Sequence, residues 1–134
     1  KQFWLTMGYG YNDQGLKREL WNEMVKIGSQ LLVPWTVMGD FNCVLNMVER
    51  VGRQVTVVEV RDFRHCTRMC DLHDMKSSGA FFTWNNKQIM ADRVQRKIDR
   101  LLINSEWMTQ MLATEVYFMT EGLYYHCPAI IQSE

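Results

Sequence analysis

A layered domain that mixes helices and strands, α/β or α+β, is predicted by three observations. Short β-branched and aromatic runs bounded by turn residues alternate with segments whose apolar residues recur every three to four positions. The alternation follows no clean βαβ period, and no internal repeat is present. The chain has 134 residues, enough for one hydrophobic core, so residues 1–134 are read as a single domain. A 47% hydrophobic and 22% charged composition with only two prolines excludes intrinsic disorder and low complexity. Lys plus Arg total 15 and Asp plus Glu total 15, which excludes a histone-like basic protein and an acidic tail but leaves room for a local basic patch. The longest apolar run, residues 31–38, is broken by Pro34 and Thr36, well short of the ~18 to 20 residues of a membrane span, so no membrane partner is expected. The sequence opens Lys1-Gln2 and enters a strand at once without a signal-peptide pattern, so it is read as part of a longer, non-secreted protein.

The elements follow in order. Residues 3–9 are aromatic and apolar enough for a strand. Asn12-Asp13 offers an N-cap to a helix lined on one face by Leu16, Leu20, Met24 and Ile27 and ended by Gly28 and Pro34. Residues 35–38 form a short buried strand that stops at Gly39-Asp40-Phe41-Asn42. Thr56-x-x-Glu59 is a capping box opening a helix that runs to about Asp71. Residues 81–84 read as a third strand turned by Asn85-Asn86, and residues 98–104 as a fourth, antiparallel to the third. A short helix at 106–113 carries Trp107, Met108, Met111 and Leu112, and strands are expected at 116–119 and 129–131. The ten methionines fall mostly at apolar positions of these elements and are expected to fill gaps in the core.

Two chemical patterns are set aside. His65, Cys66, Cys70 and His73 have the spacing of half a zinc site, but a four-ligand site needs a second matching pair. Val60, Phe63, Cys66 or Thr67, and Cys70 recur at helical spacing, which puts both thiols on an apolar face as small hydrophobes. Buried, reduced cysteines are expected. Gly8, Gly10 and Gly15 have the strand-to-helix setting of a dinucleotide loop, but the last glycine comes two positions late.

The stronger signal is Gly39-Asp40-Phe41-Asn42. A carboxylate and an amide two residues apart at the end of a strand converge on one side of a crevice, where one can take a proton from water and the other orient it. Asp99, inside an apolar strand, implies a partner, because an unpaired buried carboxylate is costly. Further along come Phe82-Thr83-Trp84-Asn85, then Lys97-Ile98-Asp99-Arg100-Leu101-Leu102-Ile103-Asn104, then Tyr125-His126-Cys127-Pro128-Ala129-Ile130.

With Tyr9-Gly10-Tyr11-Asn12 in front, this ordered series resembles the endonuclease/exonuclease/phosphatase (DNase I-like) superfamily. More narrowly it resembles the apurinic-type endonuclease domain of plant LINE-type (non-LTR) retrotransposons, and the likeness extends over nearly the whole chain. The resemblance implies an α/β fold: the C-terminal portion of a four-layer sandwich, two facing sheets flanked by helices, without its N-terminal part. It implies hydrolysis of phosphodiesters with a divalent metal, usually Mg2+, on DNA, with a reverse transcriptase domain encoded downstream. Asp40 matches the aspartate that activates or positions the attacking water, and Asn42 the asparagine that orients water and phosphate. Tyr9 and Asn12 match residues near the scissile phosphate, His126 the catalytic histidine, Asp99 the carboxylate that holds it, and Thr83 the threonine supporting that pair. In such endonucleases the hairpin corresponding to residues 87–100 contacts DNA. Here Lys87, Arg93, Arg96, Lys97 and Arg100 stand against Asp92 and Asp99, with Arg93 and Arg96 as substrate contacts.

Two departures from that pattern bear on activity. The family's metal-binding asparagine and glutamate lie ahead of the stretch matched here, and its closing Ser-Asp-His reads Tyr124-Tyr125-His126. A neutral phenol does not replace a carboxylate, which leaves Asp40 as the remaining strong metal ligand and predicts negligible nuclease activity for this chain alone. Sheet edges and faces left uncovered are expected to make it marginally stable, aggregation-prone or partner-dependent. The alternatives are a non-catalytic nucleic-acid-binding or interaction module using the basic hairpin, and a phosphatase or sphingomyelinase of the same superfamily.

Overall fold

Alternation along two central strands organises the molecule. The computed structural model describes residues 2–111, 113–122 and 124–133. Its strands are β1 (Trp4–Tyr9), β2 (Trp35–Asp40), β3 (Arg50–Val51), β4 (His73–Asp74), β5 (Ser77–Gly79), β6 (Trp84–Asn85), β7 (Gln95–Arg96), β8 (Asp99–Ile103), β9 (Glu115–Phe118) and β10 (Ala129–Gln132). Its helices are α1 (Gln14–Gly28), α2 (Val57–Met69) and α3 (Ser105–Gln110), with 3-10 turns at Met47–Glu49 and Met90–Asp92. The main sheet has the order β1-β2-β8-β4; β1 runs parallel to β2, and β8 is antiparallel to both its neighbours. Val37 and Leu102 point to one face, where they pack with Trp21, Met24, Phe63 and Cys66 of α1 and α2. Leu101 and Ile103, with Met38, point to the other, against Val116 and Phe118 of the β10-β9-β5 sheet. Period-two side chains thus bury both faces of β2 and β8, giving helices, sheet and second sheet in successive layers. A small β3-β7-β6 sheet closes one end over Val44, Val55, Val60 and Ile98.

Local chemistry sets the ends of the helices. Asp13 caps α1 by accepting from the Leu16 N–H at 3.1 Å, and Thr56 and Glu59 form the expected capping box of α2. The two helices meet through Trp21 stacked on Phe63, ring centroids 4.6 Å apart, with Phe41 beneath. Each of these fully buried aromatics contributes roughly 2–3 kcal/mol of hydrophobic stabilisation. Asn104 accepts from the N–H groups of Trp35 and Trp107 and donates to the Val33 carbonyl, tying β2 to the start of α3. Arg100 is fully buried under the sheet and is neutralised by Glu49 and by Asp74 at 2.7 Å.

The α/β class, the capped helices and the strands at 115–118 and 129–132 agree with the sequence reading, and all four cysteines are free and buried. Cys66 and Cys70 sit in the core under α1 while His65 is exposed and His73 bonds Asp71, so no zinc half-site forms. Four expectations are corrected. The strand expected at 81–84 is only Trp84–Asn85 and pairs with Gln95–Arg96, while β8 pairs with β2 and β4 instead. The third segment instead reaches β8 through one side chain, because Thr83 turns inward and its hydroxyl accepts from the Ile98 and Asp99 N–H groups. On α1, Met24 is buried and Leu20 and Ile27 pack against the core as expected, but Leu16 is 40% exposed and Lys17 and Trp21 are buried beside them. Six of the ten methionines, Met7, Met47, Met69, Met90, Met108 and Met119, lie on the surface; Met24 and Met75 are the fully buried ones. Leu112, expected on the third helix, lies outside the described residues. β1 is the outer strand of the main sheet, with Trp4, Leu5, Met7 and Tyr9 each more than half exposed.

Candidate active site

The ends of β2 and β8 bring two carboxylates together. Asp40 and Asp99 are direct partners in the antiparallel ladder, so their side chains leave the sheet on the same side. The approach depends on glycine. Gly39 has φ +146°, and a Cβ there would lie 1.9 Å from the Gly8 carbonyl oxygen. Gly10 closes the other side, its N–H donating to the Asp40 carbonyl at 2.7 Å, where a Cβ would lie 2.0 Å from the Phe41 carbonyl oxygen.

His126 completes the cluster. Its Nδ1 lies 2.8 Å from Asp99 Oδ2, and its Nε2 3.7 Å from Asp40 Oδ2. An ionised carboxylate can only accept, so Nδ1 carries a proton and Nε2 is the atom presented toward Asp40. The imidazole is 44% exposed, and the Asp40 and Asp99 side chains 19% and 22%. The chain reaches this point through Thr83, whose carbonyl accepts from the Cys127 N–H at 2.7 Å, and through the Trp84–His126 bridge. One threonine therefore fixes the positions of both the Asp99 backbone and the residue after His126.

Burial first, and then the neighbouring Asp99 charge, push the Asp40 carboxyl above its ordinary value; the Asn42 N–H, His126 and Arg96 act in the opposite direction. Asp40 Oδ1 accepts from the Asn42 N–H at 2.8 Å, which holds Asn42 at φ +52°. The Asn42 amide oxygen accepts from Arg96 Nη1 at 3.1 Å, and the Arg96 guanidinium lies 4.2 Å from the centre of the Trp84 ring.

Among the described residues, Asp40, Asp99 and His126 form the one group able to hold a metal ion, with ligand atoms within 4.8 Å of one another. The donor set is spare. Asp99 Oδ2 is committed to His126, and Asp40 Oδ1 to Asn42. Asp40 Oδ2 and Asp99 Oδ1 are the carboxylate oxygens left for a hard cation, which fits a hydrated Mg2+ held by one or two carboxylates and completed by water and substrate oxygens, not an all-protein cage.

Of the residues singled out from sequence, Asp40, Asn42, Thr83, Asp99, His126 and Arg96 converge here. Tyr9 stands beside Asp40 on β1 but is 64% exposed, its ring edge-on to Tyr11. Asn12 is exposed and lines a neighbouring cavity, and Arg93 is exposed on the surface. The basic hairpin is not a free cationic face. Lys87 pairs with Glu121 and the Gly122 carbonyl, Lys97 lies over Phe81, and Arg100 is buried with Glu49 and Asp74. The neighbouring cavity, of about 450 Å³, is walled by Lys17, Arg50, Arg53 and Arg96 against Glu59, a cluster that motif reading missed. The available signal was Lys17 itself, a charge spaced with Trp21 and Met24 on the buried face of α1.

No family model and no curated protein matches the sequence. Solved structures do match. Beta toxin 275-280 from Staphylococcus aureus superposes with a TM-score of 0.61 at 13% identity, over 97% of this chain and 51% of that one. CdtB, the biologically active subunit of cytolethal distending toxin, superposes with a TM-score of 0.51 at 11% identity, over 97% of this chain and 47% of its own. The chain thus spans about half the length of the structures it matches. At such identities the likeness speaks to architecture alone, and the architecture is that of part of a DNase I-like α/β sandwich.

Proposed function

We propose that this chain carries the imidazole–carboxylate part of a phosphodiesterase centre of the retrotransposon DNA endonuclease type, and that by itself it turns over at or near background. The observation that carries the reading is His126 held between Asp99 and Asp40. Asp99 fixes the ring, so Nε2 is presented to an incoming phosphoryl oxygen as a donor when the ring is charged. Asp40, held by Asn42, is placed to take a proton from a water. Arg96 supports Asn42 from behind, and Trp84 supports Arg96. A Mg2+ ion, when bound at Asp40, would supply charge neutralisation on the phosphate.

The spare donor set supports the low-turnover part of the proposal. Tyr125, in the position that the resemblance assigns to an aspartate, is 55% exposed and stacks on Trp84, ring centroids 6.5 Å apart, so it adds an aromatic face and no ligand. The test is nicking of supercoiled plasmid with Mg2+. Nicked product indistinguishable from the Asp40→Ala variant is expected; nicking that disappears with Asp40→Ala would overturn the low-turnover reading. Binding of single-stranded DNA weakened several-fold by His126→Ala supports the phosphodiester assignment, and unchanged binding counts against it.

A further inference from the structure

We infer that the cavity beside the carboxylate cluster is a binding site for a second phosphate group of the substrate, adjoining the one presented to His126. This rests on the phosphodiesterase reading and extends it to the class of substrate: one carrying at least two phosphates.

Four cations and one carboxylate wall the cavity of about 450 Å³: Lys17, Arg50, Arg53 and Arg96 against Glu59. Glu59 is already used. Its two oxygens accept from Arg50 Nη1 and Nη2 at 2.7 and 2.9 Å, and the pair is buried. Lys17 is different. It is only 5% exposed, at the first turn of α1, and among the described residues its ammonium makes no hydrogen bond and no ion pair. It acts at longer range on Glu59 and on the Cys43 thiol. Its stem is packed against the protein while the ammonium opens onto the cavity, so its acceptor has to come from whatever fills that space, and an oxyanion there supplies one. Arg50 and Arg96 line the same wall; their Nε–H groups are themselves buried behind it without a partner, so the charge they offer the cavity is that of the guanidinium as a whole. A lysine without a protein acceptor and two arginines around one polar cavity, against a single carboxylate already paired with Arg50, call for a multiply charged oxyanion, and Arg53, exposed at the rim, adds a fourth positive charge.

The cavity adjoins the carboxylate cluster across one residue. Asn42 lines it, accepts from Arg96 there, and donates its backbone N–H to Asp40 on the other side. A phosphate in the cavity and a phosphate before His126 would therefore lie on either side of Asn42. The second phosphate can belong to the backbone of a polynucleotide or be a terminal phosphate on a shorter ester; phosphate recognition is common to both.

The test measures binding with EDTA present, so that it does not depend on turnover. The full chain is titrated with inorganic pyrophosphate, with a thymidine pentanucleotide lacking terminal phosphates, and with the same oligomer carrying a 5′-phosphate, following the fluorescence of Trp84 against a Trp84→Phe control. Pyrophosphate binding weakened about tenfold by Lys17→Met and several-fold by Arg53→Ala is expected, with the salt slope for the oligomer falling by about one for the lost contact. Weakening of the unphosphorylated oligomer identifies a backbone phosphate; weakening confined to the 5′-phosphorylated oligomer identifies a terminal one. Arg53 is exposed, so its variant retains the fold and keeps the test valid if Lys17→Met does not fold. Absence of pyrophosphate binding, or affinities equal in wild type and both variants, overturns the inference whatever the nicking assay shows. Binding that depends on Lys17 while His126→Ala leaves DNA binding unchanged would retain the cavity and remove the phosphodiesterase assignment.

Discussion

Two groups of side chains meet at Asn42 and differ in nearly every respect. On one side Asp40, Asp99 and His126 are paired with one another, partly open to solvent, and rich in acceptors. On the other, Lys17, Arg50, Arg53 and Arg96 surround a cavity with more positive charge than its one carboxylate, Glu59, balances. The first is self-sufficient, because each charged group has a partner a few ångströms away, and its geometry is set by backbone register between β2 and β8. The second is poised for a ligand, because one carboxylate, Glu59, balances one arginine and leaves the rest. A phosphate ester suits the junction: its reacting phosphoryl group needs a proton donor and a base, and any further phosphate needs cations.

The largest effect should come from a change that breaks both groups at once. Gly39→Ala puts a methyl group where the Gly8 carbonyl oxygen stands and forces a φ that alanine rarely adopts, so β1 must separate from β2. A loss of about 4 kcal/mol is expected in urea unfolding. Arg50→Met acts on the cationic side alone, leaving Glu59 buried and unpaired, at about 3 kcal/mol. The pH dependence identifies that pair. Burial raises the Glu59 carboxyl, but the Arg50 hydrogen bonds, the Thr56 N–H and the nearby positive charges outweigh it and hold it below its ordinary 4.5. Its contribution is therefore present above pH 4.5 and lost as pH falls through the lowered value, and Glu59→Gln should remove that acid-sensitive component from a melting-temperature profile.

Two smaller changes separate the carboxylate side. Tyr125→Asp adds a third carboxylate beside His126 and should tighten Mn2+ binding about tenfold, read by the ion's paramagnetic resonance signal. No tightening would mean that residue 125 does not face the ion. Asp40→Asn should stabilise the fold slightly. A carboxyl raised above its ordinary 3.8 binds its proton more tightly in the folded chain, so its ionised form costs stability as pH rises past that value. A melting temperature higher by ~2 °C at pH 7 and unchanged at pH 3 is expected.

The carboxylate side was legible in the sequence and the cationic side was not. Asp40, Asn42, Thr83, Asp99 and His126 lie at the ends of short apolar strands or in the segments that tie them together, where neighbouring residues report the local structure. The register that sets Asp40 opposite Asp99 is itself a consequence of those strands. Lys17, Arg50 and Arg53 come from α1 and from the segment joining β3 to α2, and only tertiary packing brings them to one cavity. The apolar spacing of α1 does not single out Lys17, because a lysine is expected outside unless a polar cavity receives it. The basic count of residues 87–100 was misleading for a related reason. Charge along a chain does not reveal that Arg100 turns under the sheet, that Lys87 meets Glu121 or that Arg96 turns toward Asn42. The strand expected at 81–84 is shorter because, although the Thr83 N–H donates to the Arg96 carbonyl, its hydroxyl and carbonyl turn inward to accept from the Ile98, Asp99 and Cys127 N–H groups instead of extending the ladder.

The most direct measurement is the imidazole resonance of His126 while a thymidine dinucleotide is added in the presence of Mg2+. A saturable shift that is absent when thymidine without phosphate is added, and lost in Asp40→Ala, is expected for a phosphodiester docked between His126 and Asp40. Dinucleotide binding detected elsewhere on the molecule with the His126 resonance unmoved would contradict it.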